Sequence, residues 1–246
     1  MNITRRAVMG GAVAGSTLAL APAAAFAAAG TQGVAPPAPV GPDGKTTLTA
    51  DQALALLKEG NRRFIADSPA LGPISRQRRL AIAQSQAPFA TLVSCSDSRV
   101  GPEQLFGRGL GELFIVRNAG NTVSSNQALG SLEYAVAVLG TPLVVVLGHE
   151  RCGAVDAAVK VVKDNASFPG NIGRMVEPII PAALAARSDG TINLDNAIRA
   201  NVRRTVEQLR NAVEPVLLEP QRQGRLKVVG AYYDLDTGAV DFFDEP

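Results

Sequence analysis

The sequence predicts an α/β fold, a mostly parallel sheet flanked by helices, with a C-terminal β-hairpin. Three observations predict it. Short apolar runs alternate with segments of helical periodicity, each run breaks off at a turn, and the last two runs are joined by a tight one. A parallel sheet is covered on both faces, so its strands read as near-continuous apolar runs. The chain of 246 residues is 46% hydrophobic, which rules out a disordered chain, and two cysteines cannot build a disulfide scaffold. A single histidine excludes any mechanism that needs two.

The elements follow in order. Thr49-Ala50-Asp51-Gln52 is a capping box that opens a helix through Leu54 and Leu57 towards Phe64. A second helix starts near Ser75 and runs through Leu80 and Ile82. Residues 89–93 form a short apolar run ending at Ser94-Cys95, and residues 113–116 form another, ending at Arg117-Asn118-Ala119-Gly120. Ser125 begins a helix through Leu129, Leu132 and Val136, stopped by Gly140. The strongest strand, 143–147, follows Pro142 and ends at Gly148-His149. Helices are predicted over 154–162 and 194–213, the latter with Ile198, Val202, Val206 and Leu209 on one face. Residues 226–235, the turn Asp236-Thr237-Gly238 and residues 239–243 make the hairpin.

The start of the chain reads as an address. Arg5-Arg6 precedes an uncharged Ala/Gly-rich stretch to Ala29, and Ala25-Phe26-Ala27 fits a signal-peptidase site. Residues 1–27 are therefore expected to be a twin-arginine signal peptide, with the mature protein periplasmic or otherwise extracytoplasmic and not stably inserted in a membrane. Arg5 and Arg6 are the only charges in that segment, so the 22 acidic residues of the mature chain balance its basic ones. No basic block of the nucleic-acid-binding kind remains. Residues 28–47, with Pro36, Pro37, Pro39, Gly41, Pro42 and Gly44, are expected to be a flexible leader to a domain spanning 48–246.

The chemistry collects at strand ends, where open α/β sheets bind ligands. Cys95 follows the first strand, His149 the third, and Cys152 stands one turn further on. Two thiolates and one imidazole match the ligand preference of zinc, and three protein ligands leave a fourth position open, as in catalytic sites. The same residues also admit a disulfide, a Cys–His nucleophile pair, or plain buried side chains.

The wider context narrows this. Cys95-Ser96-Asp97-Ser98-Arg99, then Arg117-Asn118-Ala119-Gly120-Asn121, then Gly148-His149-Glu150-Arg151-Cys152-Gly153 closely resembles the β-class carbonic anhydrases, over most of 50–243. The resemblance implies a β-carbonic anhydrase-like catalytic domain with Cys95, His149 and Cys152 as zinc ligands. It implies zinc-dependent, reversible hydration of carbon dioxide to bicarbonate and a proton by attack of zinc-bound hydroxide. Asp97 and Arg99 would form the carboxylate–guanidinium dyad beside the metal, with Asp97 as a fourth ligand in a closed state. Gln86 would hydrogen-bond bicarbonate or zinc-bound solvent, and Phe114, Ala119 and Tyr134 would wall the carbon dioxide pocket. The family usually has valine where this chain has Ala119. A homodimer or dimer of dimers is implied, with the pocket built across the interface and the N-terminal helix clasping the partner.

Overall fold

The computed structural model describes residues 34–68 and 71–246; the segment expected to be a signal peptide, 1–27, lies outside the described residues. Five strands form one sheet: β1 (Ala90–Ser94), β2 (Leu113–Arg117), β3 (Leu143–His149), β6 (Lys227–Tyr233) and β7 (Val240–Asp244). Their spatial order is β2-β1-β3-β6-β7. All pairs are parallel except the β6–β7 hairpin. Every residue of β3 is buried, as expected of the central strand, and each such Val or Leu contributes about 1.5–3 kcal/mol.

The helices divide between the two faces. On one, α1 (Ala50–Ile65) and the short α3 (Pro102–Leu105) cover Leu92, Leu143, Val145, Leu147 and Val229. On the other, α4 (Asn126–Ala137), α8 (Leu194–Arg210) and α9 (Pro215–Arg222) cover Val93, Val144, Val146 and Val228. Beside them α5 (Gly153–Asp164) and α7 (Ile180–Ala185) enclose Cys95, Cys152 and Tyr232. The remaining elements are α2 (Arg76–Ala81), α6 (Gly170–Val176), a 3₁₀ turn and the two-residue strands β4 (Arg187–Ser188) and β5 (Thr191–Ile192). Among the described residues no helix is long and apolar enough to cross a membrane.

Local chemistry accounts for the helix starts. Thr49 and Gln52 close the reciprocal capping box, and Ser75, Ser125 and Asn193 each cap the helix that follows. Three expectations need correction. His149 is the last residue of β3 rather than the residue after it, because its backbone stays in register with Tyr233 of β6. The apolar side of α1 packs on its own sheet through Ala53, Leu54 and Leu57, and Asn61 bonds the Gly238 carbonyl and the Val240 amide, so it is the polar face of this helix, not the apolar one, that is free for a partner.

The third concerns the leader, whose described part, 34–47, is tied down. Ala35 is buried and bonds the Leu71 carbonyl, Val40 bridges Thr46, and the Ala38 amide donates to Glu112. Glu112 is buried beside Arg108 and also accepts the Gly109 amide, so its charge is fully engaged. Proline and glycine content alone did not reveal that anchor.

Candidate metal centre

The C-terminal ends of β1 and β3 lie side by side, so Cys95 and His149 meet, and Cys152 joins them from the N-cap position of α5. The donor atoms of these three buried residues lie within 4.8 Å of one another, and the two sulfurs are 4.0 Å apart, both as free cysteines. The Gly120 amide donates to the Cys95 sulfur at 3.4 Å. Gly120 has φ +82°, and a Cβ there would sit 2.4 Å from Ile179, so only glycine allows that approach.

His149 is oriented for coordination. Its Nδ1 is 2.9 Å from the Glu150 carbonyl. A carbonyl only accepts, so Nδ1 donates there and Nε2 is the nitrogen left for a ligand. That Nε2 is buried and without a hydrogen-bond partner, which is costly unless a ligand completes it. The Cys152 thiol first, then His149 and the Gly120 amide, hold the Cys95 thiol down, while Cys152, facing Cys95 and buried, is pushed up. A divalent cation between them would satisfy both sulfurs and the orphaned nitrogen together.

Asp97 stands at the rim of this cluster, its Oδ2 3.9 Å from His149 Nε2. Arg99 grips it with two parallel bonds, Nε to Oδ1 at 2.9 Å and Nη2 to Oδ2 at 2.7 Å, and adds its backbone amide. The guanidinium holds the Asp97 carboxyl well below the usual carboxylate range. Arg117 fixes the turn between ligand and dyad by donating to the carbonyls of Cys95 and Asp97. This role of Arg117 escaped sequence reasoning, although the residue closes the neighbouring strand.

The other site residues separate into two groups. Ala119 packs against the cluster that contains both cysteines. Gln86 is exposed in the connection before β1, at the opposite end of a strand roughly 16 Å long. Phe114 is level with Thr91, four residues upstream of Cys95, and its ring lies 6.3 Å from that of the exposed Tyr134. Within one chain, Gln86, Phe114 and Tyr134 therefore do not reach the metal-ligand cluster. The loop 150–151 and its contacts with the hairpin turn were also not foreseen, since no local pattern marks them.

Comparison with known proteins agrees with this geometry. The family description "Carbonic anhydrase" matches residues 90–240. Carbonic anhydrase 2 of Mycobacterium tuberculosis is 42% identical over 182 residues, covering 74% of this chain and 87% of that protein. The structure of a Coccomyxa β-carbonic anhydrase in complex with acetazolamide superposes with a TM-score of 0.60 at 27% identity, covering 77% of this chain and 86% of that one. One of two tetrameric β-carbonic anhydrases of Sordaria macrospora gives 0.59 at 26% identity, covering 67% and 84%. The buried Cys–His–Cys cluster, its carboxylate neighbour and these likenesses converge, and the chain belongs to the β-class carbonic anhydrase family.

Proposed function

We propose that this protein is a zinc enzyme that interconverts carbon dioxide and bicarbonate plus a proton. The carrying observation is the convergence of Cys95, His149 and Cys152 within 4.8 Å beside the Asp97–Arg99 pair. Cys95 Sγ, Cys152 Sγ and His149 Nε2 would hold the metal, a donor set that suits zinc and leaves one position open. Zinc bound there supplies a Lewis acid that makes water a nucleophile at neutral pH.

The chain's own groups do the rest. Asp97, ionised throughout the neutral range, is a pure acceptor at the edge of the open position. It takes a hydrogen bond from the attacking oxygen and so aims that oxygen's lone pair at carbon. Arg99 engages both carboxylate oxygens, which favours the open arrangement over one with Asp97 as fourth ligand. His149 is the sole histidine and is already engaged, so the released proton leaves through water and buffer.

A second copy would complete the pocket with its Gln86, Phe114 and Tyr134. Support comes from what one chain leaves exposed: the edge strand β2 flanks a cavity of about 320 Å³ lined by Phe114, Ile115 and Ala128, and Ile74 and Leu80 around α2 are each 60% exposed. The smallest assembly with complete sites is a homodimer, which can pair again into a dimer of dimers. The Arg5-Arg6 segment supports export by the twin-arginine route, after folding, to a periplasmic or other extracytoplasmic site. Metal analysis and a stopped-flow carbon dioxide hydration assay on the purified mature protein test the main reading. About one zinc per chain and activity that disappears with the metal are expected; full activity in metal-free protein would overturn it.

A further inference from the structure

The loop between two of the proposed metal ligands is held by a residue far away in sequence. Of the two residues separating His149 from Cys152, Arg151 has φ +52°, a left-handed conformation that non-glycine residues seldom adopt. Such backbone persists only where its surroundings over-determine it. Here the restraint is the side chain. Arg151 Nη1 donates to Asp236 Oδ2 at 2.9 Å and Nη2 to Oδ1 at 2.6 Å, a two-pronged grip across 85 residues of sequence. Nη1 also meets Glu150 Oε1 at 3.0 Å.

Glu150 adds two more ties to the same hairpin. Its amide donates to the Tyr233 carbonyl at 2.8 Å, and its Oε2 accepts from the Leu235 amide at 3.1 Å. The turn that carries Asp236 is itself set by Asp234, whose Oδ1 accepts from the amides of Asp236 and Thr237. Peptide units 150 and 151 are thus bolted to the β6–β7 turn at Tyr233, Leu235 and Asp236. Each of those units also touches the site: the Glu150 carbonyl orients the His149 ring, and the Arg151 carbonyl lies 3.5 Å from Arg99 Nη2.

We propose that Asp236 is a positioning residue, acting through Arg151 and Glu150 to fix those two carbonyls and thereby the His149 ring and the Asp97–Arg99 pair. The inference rests on the metal-centre reading above. An ion pair this exposed contributes little to global stability. Its consequence is geometric, and that separates it from a merely structural contact.

The test uses the metal-loaded protein with Asp236→Asn, which keeps the shape and loses the charge, and Asp236→Glu, which keeps a two-oxygen acceptor. Metal release to a chromophoric chelator, the visible spectrum of cobalt-substituted protein, kcat, KM and thermal melting are measured side by side. The asparagine variant is expected to melt near the parent, release metal about tenfold faster, shift the cobalt bands and lose kcat with KM little changed. The glutamate variant is expected to recover most of the release rate. Parental release and an unshifted cobalt spectrum in the asparagine variant of a metal-binding parent would overturn this inference alone. A parent that holds no metal would overturn the metal-centre reading and this inference with it.

Discussion

Arg117, the last residue of the edge strand β2, donates through Nε to the Cys95 carbonyl at 2.9 Å and through Nη2 to the Asp97 carbonyl at 2.7 Å. One side chain therefore spans from the backbone of a proposed sulfur ligand to that of the carboxylate beside it. Replacing Arg117 by Met keeps its apolar length and removes both bonds. Activity should fall about tenfold, as for other groups that support a metal site from behind. Stability should fall by about 1 kcal/mol, since the guanidinium is partly solvated. Urea denaturation alongside the hydration assay checks both, and parental activity would show that the 95–97 turn holds itself.

Cys152→Ala should bind no metal and lose activity about 100-fold or more, because the donor set drops to two. Thiol titration of the parent adds an independent check. Neither thiol should react while metal is bound, and both should react after chelation and denaturation. A denatured parent with no reactive thiol would instead reveal a Cys95–Cys152 disulfide.

Gln86 and Asp97 should complement each other across chains. Gln86→Ala and Asp97→Asn are each expected to lose roughly 100-fold in turnover. In a mixed dimer, one site recovers an intact Asp97 from one chain and an intact Gln86 from the other. Co-refolded mixtures should therefore exceed the mean activity of the two variants refolded alone. Activity equal to that mean, or an active monomer in sedimentation experiments, would contradict a shared pocket.

Tyr232 donates its hydroxyl to Asp195 at 2.9 Å, and burial first, then Asp195, raises its pKa above the ordinary 10.0. A raised pKa means that the folded state favours the protonated phenol. The associated stability is complete below pH 10.0 and drains away as pH climbs towards the folded-state value. Tyr232→Phe should cost roughly 1 kcal/mol at neutral pH and flatten the decline above pH ~10. Urea midpoints measured from pH 8 to 11 would show an unchanged slope if another group were responsible.

Changing Arg5-Arg6 to Lys-Lys should leave active enzyme in the cytoplasm, because the paired arginines are the proposed export signal. Fractionation with activity assays reads the outcome. Normal export of that variant would remove the routing proposal without touching the enzyme.

What could be read in advance followed the range of the interaction. Thr49, Ser75 and Ser125 act on amides three residues away, so their helices were visible in short windows. The apolar runs of β1, β2 and β3 announced a parallel sheet, and its strand ends located Cys95 and His149. Helices α6, α7 and α9 were missed, because α6 and α7 have Gly170 and Pro181 in their first turns and α9 has Pro220 inside it. The Asp236–Arg151 contact and the Glu112–Ala38 anchor join residues 85 and 74 positions apart, and no local pattern encodes such pairs. The separation of Gln86 from Cys95 became apparent only with the strand laid between them.

Glu112, just ahead of β2, receives Ala38 at the end of the sheet opposite to Cys95 and His149. Fastening the incoming chain there keeps it away from its own chain's cysteines and histidine. A tag or surface tether grafted ahead of residue 34 is therefore expected to leave metal binding by that cluster unchanged.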